Sequence, residues 1–221
     1  MCEAIEQRGG HLCVTKDLCP FREAEVCGDD DLFFAISRSL HCSSSCWGGL
    51  WSQMEGKSRG RSFDDAPVVL SQVQTKYGSE FVTMRQNNAS LTGFDVTMQE
   101  EQATNMGSHA TETLGWIAIE AGSGSIDTFE WTAAHASGID HTTGTIALDG
   151  SVTDVVGSVS TYFGNDPGWA RGLGLSGSSL SVQVQEDTSA DAEVIHAAEK
   201  VDYFAFNSSS VVYGYDDDLF V

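Results

Sequence analysis

Apolar and polar residues alternate with a period of two in several short runs of the chain. Phe94, Val96 and Met98 alternate with Asp95, Thr97 and Gln99, and Leu180, Val182 and Val184 alternate with Ser181, Gln183 and Gln185. Leu114, Trp116 and Ala118 follow the same rule, as do Val201, Tyr203 and Ala205. Successive side chains of a strand point to opposite faces, so each run predicts a strand with one buried and one wetted face. Turn-forming stretches such as Tyr77-Gly78-Ser79 and Asn87–Gly93 separate the runs. Further strands are expected around Phe129–Trp131 and Thr145–Leu148. Short strands at regular spacing predict antiparallel β-sandwiches, an all-β fold.

The pattern repeats. Val68–Gln102 lies on Asp154–Thr188 with a constant offset of 86 residues and no gap. Val73-Gln74-Thr75 meets Val159-Ser160-Thr161, Gly78 meets Gly164, and Arg85 meets Arg171. After one inserted residue, His109, Glu112, Leu114, Trp116 and Ala118 meet His196, Glu199, Val201, Tyr203 and Ala205. One register that keeps apolar, glycine, arginine and acidic positions together predicts a duplicated unit. The expected organisation is a cysteine-rich segment over residues 1–55, a first sandwich over 56–122 and a second over 123–221. Asp191–Lys200 is made of good helix formers, but its repeat partner Asn105–Thr113 is not. The repeat therefore predicts a loop there, with at most one helical turn in the second copy.

Composition narrows the setting. The six cysteines, Cys2, Cys13, Cys19, Cys27, Cys42 and Cys46, all fall in the first 46 of 221 residues. An even, dense and local set reads as a disulfide framework, which places the chain in an oxidising compartment: secreted, or at a cell surface. Only Cys42 and Cys46 approach the spacing of a zinc site. The opening residues carry no basic or apolar run of the kind that marks a secretory signal. No run is long and apolar enough to insert in a membrane. The net charge is −21, which repels nucleic-acid phosphates and anionic lipids and favours cations, Ca2+ above all.

The first copy resembles the H-type lectin domain, a small β-sandwich. The likeness runs from Phe63-Asp-Asp-Ala-Pro-Val-Val-Leu through Val82-Thr-Met-Arg85 and Thr92-Gly93-Phe94 to Gly115-Trp116-Ile-Ala-Ile. The same stretch is similar to a repeat of large bacterial and algal surface proteins, with its Gly-Phe, Gln-Glu-Glu, His-x-x-Glu-Thr and Gly-Trp-Ile-Ala. The lectin likeness implies a sugar ligand and an arginine contact nine residues before the phenylalanine. Arg85 stands nine before Phe94, and Arg171 nine before Leu180. Glu101-Gln102 stand where that family carries an aromatic residue and a histidine. The expected function is carbohydrate binding or adhesion outside the cell. The alternative is a structural subunit of a larger surface fibre, with partner proteins in a homo- or hetero-oligomer. No enzyme motif is present. Gly172, Gly174 and Gly177 match a dinucleotide loop in spacing only, because a strand pattern rather than a helix follows them.

Candidate ligand contacts are therefore Arg85, Glu101, His109 and Glu112 in the first unit and Arg171, Asp187, His196 and Glu199 in the second. A histidine three residues before a glutamate can hold a metal or a sugar hydroxyl, or can equally brace its own loop. Either arginine can clamp a sugar or carboxylate through its planar fork, or pair with a local acid. Glu100, Glu186, Asp191 and Glu193 form the candidate oxygen set for Ca2+. Asn88 and Asn207 head N-x-Ser glycosylation sequons.

Overall fold

A computed structural model describes residues 63–91, 93–104, 109–126, 128–150 and 152–207, together with the backbone of two earlier strands, 24–26 and 34–42. These residues form thirteen strands, and the only helical element among them is a single 3-10 turn at Gln102–Thr104. The fold is all-β. The strands are β1 (Ala24–Val26), β2 (Phe34–Cys42), β3 (Val68–Val73), β4 (Val82–Ser90), β5 (Gly93–Glu100) and β6 (Glu112–Ile119). After them come β7 (Gly122–Ile126), β8 (Phe129–Ile139), β9 (Gly144–Ala147), β10 (Asp154–Val159), β11 (Gly168–Ser176), β12 (Ser179–Glu186) and β13 (Glu199–Phe206).

The duplication appears strand for strand. β3, β4 and β5 map onto β10, β11 and β12 with the offset of 86, and β6 maps onto β13 with 87. In unit one a sheet ordered β1-β2-β6-β3 faces the β4-β5 hairpin; in unit two β7-β8-β13-β10 faces β11-β12-β9. All pairings are antiparallel. β1 and β2 come from the segment set apart as cysteine-rich, yet they extend unit one's sheet as β7 and β8 extend unit two's. Ala35 pairs with Ala118, as Thr132 pairs with Ala205. Of the six cysteines, only Cys42 lies on a described backbone, as the last residue of β2, so the disulfide framework falls outside the described side chains.

Each sandwich closes over its own alternating residues. Phe94, Val96, Met98, Leu114, Trp116 and Ala118 pack with Phe63, Val69 and Met84 in unit one. Their counterparts Leu180, Val182, Val184, Val201, Tyr203 and Ala205 pack with Ile139, Ile146, Leu148, Val152 and Val159 in unit two. The rings of Phe94 and Trp116 meet edge to face at 5.1 Å. Each buried Val, Leu, Ile, Phe or Met among them contributes roughly 1.5–3 kcal/mol by leaving water. A third cluster joins the units: Val68 and Ile119 of the first pack on Trp131 and Ala133 of the second. Asp191–Ala198 carries no helix. The loop expected from the repeat prevails over local propensity, because His196 must turn inward from it.

Candidate functional site

Each unit buries one glutamate at the start of its last strand and surrounds it with donors. Glu112 accepts from Thr75 Oγ1 at 2.5 Å, Tyr77 N at 2.6 Å and Gly78 N at 2.8 Å, with His109 Nε2 at 3.3 Å. Glu199 accepts from Thr161 Oγ1, Phe163 N at 3.1 Å and Gly164 N at 2.8 Å, with His196 Nε2 at 3.2 Å. The other ring nitrogen of each histidine faces a second glutamate: His109 Nδ1 lies 3.1 Å from Glu100, and His196 Nδ1 lies 2.8 Å from Glu186. The glycine in each loop makes room for the ring. A Cβ on Gly78 would stand 2.2 Å from His109 Cε1, and one on Gly164 would stand 2.6 Å from His196 Cε1. The His-x-x-Glu pair thus braces its own loop in both copies.

Hydrogen bonding works against burial at Glu199, His196 and Glu112. Burial opposes ionisation of Glu199, but His196, Thr161, Gly164 and Arg85 outweigh it and hold the carboxyl at about 2. Burial also opposes a charge on His196, and the bonds to Glu199 and Glu186 overcome that and raise its pKa. Glu112 is lowered in the same way against its burial, chiefly through Thr75 and the loop amides.

The two pockets differ in one partner. Arg85 of unit one, 1% exposed, reaches across the seam and pairs with Glu199 of unit two. Its Nε donates to Thr161 O at 3.2 Å, and one terminal nitrogen donates to Gln99 Oε1 at 3.2 Å and Asp166 O at 3.3 Å. The guanidinium lies 4.8 Å from the centre of the Tyr162 ring. Gln99 adds bonds to Tyr162 Oη at 3.0 Å and Asn165 O at 2.6 Å. Arg85 is therefore closed to a soluble ligand. Arg171, its repeat partner, is exposed, and among the described residues its guanidinium meets Gln185, the counterpart of Gln99. One register position serves two ends, since Arg85 is covered by the next unit and Arg171 faces solvent.

The remaining candidates scatter. Asp187 accepts from Gln102 N of unit one at 2.6 Å and from Ser189 N at 2.9 Å, so it closes the seam and a turn. Glu101 follows β5 at the same rim, where its amide donates to Phe81 O at 2.9 Å. Among the described residues, two acidic groups offer ligand atoms within 4.8 Å of one another: Glu80, Glu100 and His109, and Asp166, Glu186 and Glu193. Burial and the neighbouring Glu193 carboxylate push Glu186 up, with His196 opposing them. Asp191 instead caps Glu193 N at 2.9 Å. The sequon amides are engaged: Asn88 Nδ2 donates to Asp95 at 2.7 Å, and Asn207 Nδ2 to Thr128 O at 3.1 Å.

Other seam residues were not visible in the sequence. Asp202, fully buried on the outer face of β13, accepts from Val69 N at 2.9 Å and contacts His135 Nδ1 at 2.7 Å. The other nitrogen of His135 lies 3.1 Å from Ala66 O. Together they cap the free edge of β3, which would otherwise leave backbone groups unpaired. Gln86, 1% exposed, sets its amide between the hydroxyls of Ser71 and Ser158. Asp202 has Gly115 as its counterpart, so the repeat drew attention away from it. Only a polar residue midway along an apolar strand hinted at its role.

Comparison with known proteins gives one likeness to report. The chain is 30% identical over 153 residues to halomucin of Haloquadratum walsbyi (strain DSM 16790 / HBSQ001). The match covers 68% of this chain and 2% of halomucin, so it concerns a small part of a far longer protein. No protein-family model matches the chain, and no solved structure matches it. Among the described residues no helix is long and apolar enough to cross a membrane.

Proposed function

We propose that the chain is a structural segment of an extracellular scaffold, two sandwiches locked end to end in a surface assembly with no substrate to turn over. The carrying observation is the buried Arg85–Glu199 pair, which commits the chain's best ligand-binding arginine to holding one unit on the next. Its neighbours Gln86, Gln99, Asp187 and Asp202 also serve the seam. The likeness to a short stretch of halomucin, a mucin by name, suits a repeat element of a long extracellular chain. So do the cysteine cluster and the net charge of −21. Ca2+ at the two acidic groups would brace the same loops. Denaturation in urea followed by separate probes of the two units tests the lock. One shared transition is expected, and two separate transitions would defeat the reading. An antibody to the chain should label the outside of the cells that make it.

A second reading is carbohydrate binding, supported by a groove of about 340 Å³ at the seam. Gln72, Thr83, Ser158 and Trp169 line it, the indole being 41% exposed. Such an aromatic ring can stack on a sugar while hydroxyl and amide groups meet the sugar's own hydroxyls. Glycan-array binding lost in Trp169→Ala and kept in Arg171→Ala would favour it. An empty array, with and without Ca2+, would remove it.

A further inference from the structure

We infer that the Asp166–Pro167 peptide bond is a self-cleavage site: the Asp166 carboxylate attacks its own main-chain carbonyl, which Arg85 of unit one holds from across the seam. This goes beyond the structural reading, because it gives the chain a covalent reaction of its own. The sequence supplies the reactive bond. Of the three prolines, only Pro167 follows an aspartate. Its nitrogen carries no hydrogen in the chain and is released as a basic secondary amine. An aspartate oxygen reaches the carbonyl carbon of its own residue through a five-membered ring, so nucleophile and target are already joined.

The fold supplies the rest. Arg85 is buried, and its Nη1 donates to Asp166 O at 3.3 Å. A buried cation on that oxygen stabilises the negative charge it gains when the carbonyl is attacked. Gln102 Nε2 donates to Asp166 Oδ1 and leaves Oδ2 to attack. The backbone on either side is fixed: Asn165 O accepts from Gln99 Nε2 at 2.6 Å, and Pro167 O accepts from Asp187 N at 2.7 Å. Asp166 is only half-buried, so water reaches it. The counterpart bond in unit one, Glu80–Phe81, has neither the aspartate nor the proline, which confines the reaction to unit two.

The step balances. A bond forms from Oδ2 to the Asp166 carbonyl carbon, and the oxyanion so made faces Arg85. The C–N bond to Pro167 then breaks, and the nitrogen takes a proton from solvent as it leaves. The cyclic anhydride left on Asp166 takes up one water and opens to the α-carboxyl and side-chain carboxyl groups. The products are residues 1–166 and 167–221, together one water heavier than the intact chain. They stay assembled, because β12 pairs with β9, and β13 with β8 and β10, across the cut. The link through unit two becomes non-covalent.

Incubation of the full chain at about pH 5 tests this, in EDTA so that no cation occupies Asp166. Denaturing electrophoresis and intact mass follow the products, and sequencing of the smaller one should begin at Pro167. The folded chain should cleave at least about 100-fold faster than the same chain in urea above its unfolding transition, where the Arg85 donor is lost. Gln102→Ala should slow cleavage by about 10–100-fold at an unchanged urea midpoint. Asp166→Ala should abolish it. A folded chain that stays whole, cleaves no faster than in urea, or still cleaves there as Asp166→Ala overturns the inference. An unchanged rate in Gln102→Ala overturns the part given to that side chain.

Discussion

Arg85 and Arg171 occupy one register position, yet their removal should have opposite consequences. Arg85→Ala leaves the Glu199 carboxylate buried with Thr161, His196 and the loop amides as its remaining donors. Breaking one partner of a buried pair costs about 3–5 kcal/mol. The surviving donors put this case near the lower end. Thr161 O, Asp166 O and Gln99 Oε1 lose the same donor, at about 1 kcal/mol each where water cannot replace it. A loss of about 3–6 kcal/mol is expected, the upper figure applying where water replaces none of the lost donors, against less than about 0.5 kcal/mol for Arg171→Ala on the exposed face. Urea denaturation at neutral pH measures both, as a shift of midpoint at constant slope. A double-mutant cycle between Arg85→Met and Glu199→Gln should return a coupling above about 2 kcal/mol. Equal losses for the two arginines, or no coupling in the cycle, would refute the assignment of Arg85 to the seam.

Three further outcomes follow from the same geometry. Glu199, held at about 2 against an ordinary 4.5, contributes stability that is complete above pH 4.5 and lost as pH falls toward 2. His196, raised above 6.5, contributes stability that is complete below pH 6.5 and lost as pH rises through its folded value. Melting temperature should therefore peak between pH 4.5 and 6.5, and Glu199→Gln should flatten the acid side; an unchanged acid side in that variant would contradict it. Gly164→Ala and Gly78→Ala should each cost about 1–3 kcal/mol in chemical denaturation, since the new Cβ strikes a buried histidine ring. Asp202→Ala should cost about 2 kcal/mol by leaving Val69 N unpaired, with a downward shift of the His135 pKa readable by NMR titration.

Strand positions were legible in the sequence because their determinant is local. A period of two fixes which side chains face inward, and the 86-residue offset carries that pattern from one copy to the other. Hence β5 and β12, and β6 and β13, fall where the alternation puts them. The offset matches Gly78 to Gly164 and His109 to His196, while the packing of each glycine against its histidine ring appears only in the fold. The sequence by itself therefore determined the all-β class, the duplication and the recurrence of the His-x-x-Glu motif, while the burial and bracing role of that motif came from the fold.

What one unit does to the other was decided only by tertiary structure. Arg85 and Arg171 have the same neighbours along the chain, and no periodicity tells that one is sealed against Glu199 while the other meets water. That difference comes from the order of two bodies in space: among the described residues, unit one has a unit packed on its β3–β4 edge and Arg171 of unit two meets only Gln185. Asp202 and His135 carry no repeat signal, since they answer to the edge of β3 in the other sandwich. The pairing of β1 and β2 into unit one is equally a matter of which edge β6 leaves free. Side-chain alternation is set within a strand, whereas burial of a charge depends on every surface brought against it.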